Sequence, residues 1–491
     1  MSRKRILVVT AGIMLSNFLS SMESTVVATA MPTIVGQLGG LQYYAWVFAA
    51  YMVASTTTMP LYGKLSDLYG RRSLYSVAMV LFLSGSVLCG MAGSMPQLIL
   101  ARAVQGSGAG GIMSLAFILI GEMFSMQERA RMQGFFSGVW GVSSIAGPLL
   151  GGFIVAQLSW PWIFYVNVLP GLLATALVLL AWQDQIARAV RPVVDYAGAA
   201  LLTAGLVTLL VGLMEPGSAQ SWLLLALAGC LFAALVWVEQ RDVDPILPLA
   251  LFKQLLFLFT VVHGALAGMA LFGCISFVPL FVQTVLGASA LQAGITITPM
   301  LLGWVGASII STRIMFRVGY RTLGILGTSG LVAGALLLAR AGVASSQQSV
   351  MVFVGMMGVG MGFCIPPYFI AVQSSVERRL LGSATSMVQF SRSVGGTIGV
   401  SLMGAALSVR LAANLKAGGL DPGLVSRLLD PLPGAVLVVD AGVRLALANA
   451  LSLVFGVAFI ASAFALLPTF FAPRTALVDN AMPEAAEPAL G

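Results

Sequence analysis

Five ionisable residues lie inside or at the end of long apolar stretches of this chain: Glu23, Arg102, Glu122, His263 and Arg392. Charged groups are costly in an apolar environment, and within a membrane they mark proton paths, ion paths or ligand sites. A carboxylate such as Glu23 in an apolar cavity could exchange a proton near neutral pH and offer a counter-charge to a cation. The alternative is a structural hydrogen bond near the outer end of its stretch.

Arg102 is the second candidate for proton chemistry. An unpaired buried cation is prohibitively costly, so Arg102 must find hydrogen-bond acceptors. Gln105 follows three residues later and therefore shares its helix face. Arg102 either tunes proton transfer or only ties helices together.

Glu122, His263 and Arg392 each allow more than one role. Glu122 is close in sequence to Arg129 and Arg131, so we expect an ion pair with the loop there. His263, the only histidine of the chain, can relay protons or pack as a neutral, hydrogen-bonded ring. Arg392 can pair with a carboxylate or bind an anionic compound, and the sequence favours neither.

These residues are carried by about fourteen apolar runs, each long enough to cross a hydrocarbon core roughly 30 Å thick as a helix. The 491 residues are 59% hydrophobic and 9% charged, whereas soluble domains average about 25% charged residues. The composition therefore predicts an all-α polytopic protein embedded in a lipid bilayer. The runs lie at 6–34, 43–62, 73–93, 98–121, 132–157, 162–183, 196–214, 221–238, 255–282, 291–312, 322–340, 347–371, 384–408 and 444–471.

The net charge of +8 does not indicate nucleic-acid binding, because the cations lie in short connections and form no patch. Most of them fall in alternate connections, which predicts cytoplasmic N and C termini; twelve or fourteen spans both keep this parity. The four cysteines stand singly in apolar runs. The sequence has no metal-ligand spacing, nucleophile–base pair or nucleotide motif, so we expect no metal, no cofactor and no enzymatic activity.

A charged island at residues 63–72 separates the second and third runs, and it contains Gly63, Asp67, Gly70, Arg71 and Arg72. Its cations predict a cytoplasmic location, and its two glycines are expected to allow a loop between helices. A weaker copy without the aspartate lies at 312–321. Such a repeat predicts a duplicated six-span unit.

The island resembles the signature loop between the second and third spans of the major facilitator superfamily. The resemblance implies that Asp67 lies near a helix N-terminus of the opposite half, where an anion is favourable. It also implies that the island residues act as a conformational latch that holds a transporter in its outward-facing state.

Two further stretches resemble the fourteen-span drug:proton antiporter branch of that superfamily. Residues 22–32 are similar to its first-span signature, with Glu23 where an aspartate is usual. Residues 102–108 match its fourth-span pattern, which contains Arg102 and Gln105. Together with His263 and Arg392, these residues are our candidates for proton coupling and substrate contact.

The fifth run resembles the motif of antiporters that export drugs, and its residues are Gly141, Gly147, Pro148, Gly151 and Gly152. Small residues four apart allow close helix packing, and Pro148 removes a backbone hydrogen bond and predicts a kink. The alternative is ordinary packing of a membrane helix. Residues 160–167 resemble another motif of the family, although Pro161 replaces its usual arginine.

The predicted organisation is two six-helix bundles with pseudo-two-fold symmetry, at 1–195 and 254–475. An inserted helix pair with its linker occupies 196–253, and a cytoplasmic tail occupies 476–491. We expect an extracytoplasmic loop at 409–443, where glycines and prolines interrupt the apolar pattern.

The resemblance implies a proton-coupled antiporter that exports amphipathic drugs or related hydrophobic compounds by alternating access. It would act as a monomer in the inner (cytoplasmic) membrane, with protons and an amphipathic small molecule as its partners. Two alternatives stay open. One is a facilitator or exporter of a lipid, siderophore or metabolite, and the other is a non-transporting membrane sensor or assembly partner.

Overall fold

The computed structural model describes residues 3–39, 43–182, 195–214, 218–241, 249–288, 290–377, 380–417 and 441–473. Within these ranges every regular element is a helix, as the apolar runs predict. The first seven helices are α1 (Arg3–Leu38), α2 (Tyr44–Tyr69), α3 (Arg71–Gly90), α4 (Met95–Met123), α5 (Met126–Gln157), α6 (Trp162–Tyr165) and α7 (Val168–Ala181).

Nine further helices follow in the described ranges. The intermediate helices are α8 (Tyr196–Met214), α9 (Ala219–Glu239) and α10 (Leu249–Phe252). The last six are α11 (Leu255–Thr284), α12 (Ala290–Val318), α13 (Tyr320–Ala339), α14 (Gln347–Ser375), α15 (Leu381–Ala417) and α16 (Ala441–Phe471).

Eleven helical segments in the described ranges are long and apolar enough to cross a membrane. A shorter apolar stretch, Ala197–Leu213, lies within α8. The chain is therefore a multi-pass membrane protein with an all-helical fold, whereas the count of fourteen spans stays a prediction.

The packing of α1–α7, which we call the first half, is repeated by α11–α16, the second half. In the first half, α1 packs on α5 and α7, and α4 packs on α2 and α3. In the second half, α11 packs on α15 and α16, and α14 packs on α12 and α13. The halves meet where α2 contacts α15 and where α5 contacts α12.

Helices α8 and α9 pack on each other beside the two halves. α8 contacts both α2 and α15, and it buries Leu202, Leu206 and Leu210. On α9, Trp222 and Trp237 are 67% and 57% exposed, as expected for a helix that faces lipid. α8 therefore covers the contact of α2 with α15.

The island is not the loop that the sequence predicted. α2 continues to Tyr69 and α3 begins at Arg71, so that only Gly70 separates the two helices. Gly70 has φ 92° and ψ 150°, and Gly319 in the second copy has φ 84° and ψ 146°. Because glycine adopts positive φ without steric cost, both copies make the same chain reversal. Gly63 lies within α2 and takes no part in this chain reversal.

Two other predicted boundaries differ from the structure. The run at 162–183 is divided into α6 and α7. α15 extends past the predicted end at 408 to Ala417. This last part contains the exposed Arg410 and Lys416, so the apolar pattern ends before the helix does. The remainder of the predicted loop, residues 418–440, and the tail at 476–491 lie outside the described residues.

Candidate functional site

Glu23 of α1 and Arg102 of α4 form an ion pair in the interior of the first half. Arg102 Nη1 lies 2.8 Å from Glu23 Oε1, and both residues are 0% exposed. Arg102 Nη1 also donates to Gln105 Oε1 at 2.7 Å, as their three-residue spacing on one helix face predicts. The structure thus brings three of the five predicted coupling residues together.

Neutral polar groups from other helices complete this network. Asn167, between α6 and α7, donates from Nδ2 to Glu23 Oε2 at 2.7 Å. Arg102 Nε donates to the Val47 carbonyl of α2 at 3.3 Å, and the guanidinium carbon lies 4.1 Å from the centroid of the Tyr51 ring. Gln105 Nε2 donates to Ser86 Oγ of α3 at 2.8 Å. The network therefore connects α1, α2, α3 and α4 with the start of α7.

Glu23 and Arg102 are both inaccessible to water in this conformation. The carboxylate of Glu23 balances the positive charge of Arg102. Arg102 has Glu23 as its anionic partner, and protonation of Glu23 would remove that negative charge.

Asp67 connects the first half to the N-terminal turn of α15 in the second half. Its Oδ2 accepts hydrogen bonds from the Ser383 backbone N at 3.2 Å and from Ser383 Oγ at 3.3 Å. An anion is stabilised at this position by the unpaired N–H groups and the helix dipole. The placement agrees with the contact that the resemblance implied.

Arg71 holds Asp67 from the other side. Its Nη2 lies 2.6 Å from Asp67 Oδ1 and 3.1 Å from Glu122 Oε1, and its Nη1 donates to the Ser66 carbonyl. The ion-pair partner of Glu122 is thus Arg71 of the island, whereas we expected Arg129 or Arg131. Burial raises the pKa of Asp67, which lies beyond the predicted span, to about 6, against the lowering effects of Arg71 and Ser383.

Gly63 permits the close approach of α2 to α15. A Cβ at Gly63 would lie 2.0 Å from Ser386 Oγ and 2.9 Å from the Gly382 carbonyl oxygen. A Cβ at Gly382 would meet the carboxylate of Asp67 at 2.5 Å. Arg72 is exposed at the start of α3. Gly63, Asp67 and Gly382 therefore lie where α2 and α15 approach each other most closely at the island end.

The predicted antiporter motif lies on α5, between α1 and the second half. A Cβ at Gly147 would lie 1.9 Å from Thr25 Oγ1 of α1, while Gly141 faces Val305 of α12, whose Cγ2 would be 3.5 Å from an added Cβ. Gly151 is buried and Gly152 is exposed. The side chain of Pro148, on which the predicted kink depends, lies outside the described residues.

A pocket with an empty volume of about 650 Å³ lies between the two halves. Helices α1, α4 and α5 of the first half and α11, α12, α14 and α15 of the second contribute to it. The residues that line it are Asn17, Phe117, Phe136, Trp140, Gly141, Phe272, Leu301, Trp304, Val305, Ile365, Pro366, Gln389 and Arg392.

The five predicted coupling residues occupy three separate places. Arg392 lines the pocket, whereas Glu23, Arg102 and Gln105 form the buried network. His263 lies in the second half, where Nε2 is 2.8 Å from Thr328 Oγ1 and the ring packs 5.1 Å from that of Tyr368. His263 does not line the pocket, and its contacts agree with a packed, hydrogen-bonded ring.

Sequence reasoning did not assign roles to Asn167, Tyr51 or Asn17. Asn167 ends the stretch 160–167 that resembles a family motif, and a polar residue in an apolar run could have identified it. Asn17 lies in the run 6–34 and carries the same signal, whereas Tyr51 carries none.

The geometry defines a class of protein: an all-helical, multi-pass membrane protein with two similarly packed halves and a pocket between them. The sequence matches the Major Facilitator Superfamily over residues 13–400, and the chain belongs to this superfamily. It is a membrane transporter, and its relatives and fold indicate no catalytic family.

Two relatives from Bacillus subtilis (strain 168) are similar over most of the chain. The Multidrug transporter protein MdtP is 38% identical over 437 residues, which is 88% of this chain and 79% of the relative. Multidrug resistance protein 3 is 36% identical over 402 residues, 81% and 78% of the two chains. The structure of the proton:xylose symporter XylE aligns with a TM-score of 0.64 at 14% identity, covering 97% of this chain and 98% of XylE.

Proposed function

We propose that this transporter exports amphipathic drugs or related hydrophobic compounds in exchange for protons, by alternating access. The observation that carries the proposal is the Glu23–Arg102 ion pair, whose two residues are fully buried; protonation of this carboxylate would change the net charge of the pair. The names of the two Bacillus relatives support drugs as the substrate class.

The proposed architecture has fourteen spans, with both termini on the cytoplasmic side of the inner membrane. The bundles 1–195 and 254–475 are related by a pseudo-two-fold axis, and 196–253 is an inserted helix pair with its linker. The repeated packing pairs of the two halves and the matching Gly70 and Gly319 reversals support this duplication. We also propose that the protein acts as a monomer.

In the proposed cycle, the two halves rock about the pocket. The contacts of Asp67 and Gly63 with α15 hold the island end closed, and their separation opens the pocket to the cytoplasm. A proton can shift this equilibrium only by its different affinity for the two states. Protonation of Glu23 deprives Arg102 of its anionic partner, so the packing of α1 against α4 differs between the protonated and ionised states.

The test is transport by the purified protein in proteoliposomes with an acidic interior. Accumulation of amphipathic fluorescent dyes of both charges is compared between the parent and Glu23→Gln. We expect the parent to accumulate at least one dye only when the pH gradient is present. Glu23→Gln should bind this dye but fail to accumulate it, because glutamine keeps the shape of the side chain and cannot release a proton.

Glu128→Gln is the matched control, since Glu128 is an exposed carboxylate at the start of α5. It should accumulate dye as the parent does. Equal transport by the parent and Glu23→Gln, with or without the gradient, would contradict the proposal and favour an uncoupled facilitator.

A further inference from the structure

The central pocket combines aromatic walls with a single charge. Phe117, Phe136, Trp140, Phe272 and Trp304 supply its rings. Such rings suit a flat apolar body and could also attract a cation. The polar groups of the lining therefore decide which charge the pocket accepts.

Arg392 brings a positive charge to the pocket without an anionic partner. Its Nη2 donates to Gln389 Oε1 at 2.9 Å, and no carboxylate lies within 4.0 Å of its guanidinium among the described residues. Its guanidinium carbon lies 6.0 Å from the centroid of the Trp304 ring. The ring of Trp304, which could otherwise attract a cationic ligand, thus already faces the guanidinium of Arg392.

Asn17 adds a second donor to the lining. It is 1% exposed, and its Nδ2 has no hydrogen-bond acceptor among the described residues. No Asp or Glu lines the pocket, and the nearby carboxylate Glu23 is engaged by Arg102 and Asn167. The pocket therefore offers N–H donors and a positive charge, and it offers a ligand no negative charge.

We propose that the pocket selects amphipathic anions, with the anionic group on Arg392 and a planar apolar body between the aromatic walls. A half-buried cation such as Arg392 is stabilised when its ligand supplies the missing charge, whereas a lipophilic cation would be repelled by it. The inference rests on the proposed function only in taking the pocket as the site of the transported compound.

The test is equilibrium binding to the purified chain in nanodiscs, with two probes that share one aromatic body. Dansylglycine carries a carboxylate, and dansyl-aminoethyl-trimethylammonium carries a fixed positive charge. We expect the parent to bind the anionic probe at least about 10-fold more tightly, the scale of a charge-assisted hydrogen bond. Arg392→Gln should lose about 10-fold or more of this affinity without weakening the cationic probe, and Arg392→Lys should retain part of it.

Arg340→Gln is the matched control, because Arg340 is exposed at the end of α13, and it should bind both probes as the parent does. Tighter binding of the cationic probe by the parent would overturn the inference, even if Arg392→Gln fails to fold. Unchanged affinity of folded Arg392→Gln for the anionic probe would overturn it too. Because binding needs no gradient, this outcome is independent of whether the chain couples transport to protons.

The anionic group could come from a solute or from a lipid headgroup. Nanodiscs of phosphatidylcholine alone, and with phosphatidylglycerol added, separate these sources. Competition by phosphatidylglycerol that is absent in Arg392→Gln identifies a lipid anion at Arg392. Dansylglycine affinity that is equal in both bilayers and falls in Arg392→Gln identifies a solute. Either result supports an anion site.

Discussion

At the scale of single residues, the Glu23–Arg102 pair stands out because both partners are fully buried. Removing each ion from water costs several kcal/mol, and mutual attraction offsets this cost only when the geometry is good and the remaining polar atoms are bonded. Here Asn167, Gln105, Val47 and Tyr51 provide those contacts. The desolvation cost and the mutual attraction are therefore both large and nearly cancel. Replacing one partner should lower the stability of the fold more than replacing both.

We predict that Arg102→Met lowers the free energy of unfolding by about 3–5 kcal/mol, because it leaves Glu23 as a buried anion without a cation. The double variant Glu23→Leu with Arg102→Met should be more stable than Arg102→Met alone. Thermal and denaturant unfolding of the detergent-purified variants measures both effects. Arg340→Met controls for loss of an exposed arginine. Additive losses in the double variant would contradict an energetic coupling between the two residues.

Part of this network could be predicted from the sequence. Charge in an apolar run singles out Glu23 and Arg102, and helical spacing adds Gln105. Asn167 stands out only as a polar residue in an apolar run, and its contact with Glu23, like that of Tyr51 with Arg102, arises from tertiary packing. The sequence also left Arg392 undecided, since the absence of a nearby carboxylate is visible only when the helices are placed in three dimensions.

At the scale of helices, the contact of α2 with α15 combines smooth backbone surfaces with few polar bonds. Gly63 and Gly382 face each other across it, where added Cβ atoms would collide with the neighbouring helix. Asp67 and Ser383 supply the hydrogen bonds. The close approach of α2 and α15 at this end therefore depends on the lack of side chains as much as on the hydrogen bonds of Asp67.

We predict that Gly63→Leu shifts the molecule toward a conformation in which α2 and α15 are apart at the island end, because the new side chain has no space. Spin labels at Tyr69→Cys and Val318→Cys, which are 48% and 41% exposed at the ends of α2 and α12, report the distance between the halves. Electron–electron resonance should show a larger population at long distance.

Gly152→Leu is the control for this experiment. Gly152 is exposed on α5, and nothing lies within 4 Å of an added Cβ. Its distance distribution should equal that of the parent. The close-packing argument fails if Gly63→Leu gives the same distribution as Gly152→Leu.

Helix positions followed from the apolar runs, but several helix ends did not. A hydrophobic run indicates only the part of a helix that lies in lipid. The backbone hydrogen bonds of the helix can continue beyond that run into polar residues at the membrane surface. The island shows this, since α2 includes Gly63 and Asp67 and ends only at Tyr69. The break between α6 and α7 was likewise hidden within one apolar run.

At the scale of the whole molecule, the cations of the connections predict the orientation. Residues 312–321 contain Arg313, Arg317 and Arg321, and short basic connections stay in the cytoplasm. The opposite end of α13 leads to the connection before α14. The two ends of α13 should therefore lie on opposite sides of the membrane.

We predict that Ala344→Cys reacts with a membrane-impermeant maleimide in intact cells, whereas Val318→Cys reacts only after the cells are permeabilised. Both positions are exposed. Cys230, the only exposed cysteine of the four, is first replaced by serine, and this background serves as the unlabelled control. The reverse labelling pattern would contradict cytoplasmic termini.

The two contacts between the halves, α2 with α15 and α5 with α12, also differ in how accessible they are to a compound dissolved in the bilayer. α8 covers the contact of α2 with α15, whereas in the described part of the chain none of α8–α10 packs substantially on α5 or α12. Trp140 of α5 and Trp304 of α12 line the pocket directly behind that second contact. We therefore expect lipophilic molecules to approach sideways along α5 and α12 only, so neighbouring proteins crowded against this face would restrict the supply from the membrane.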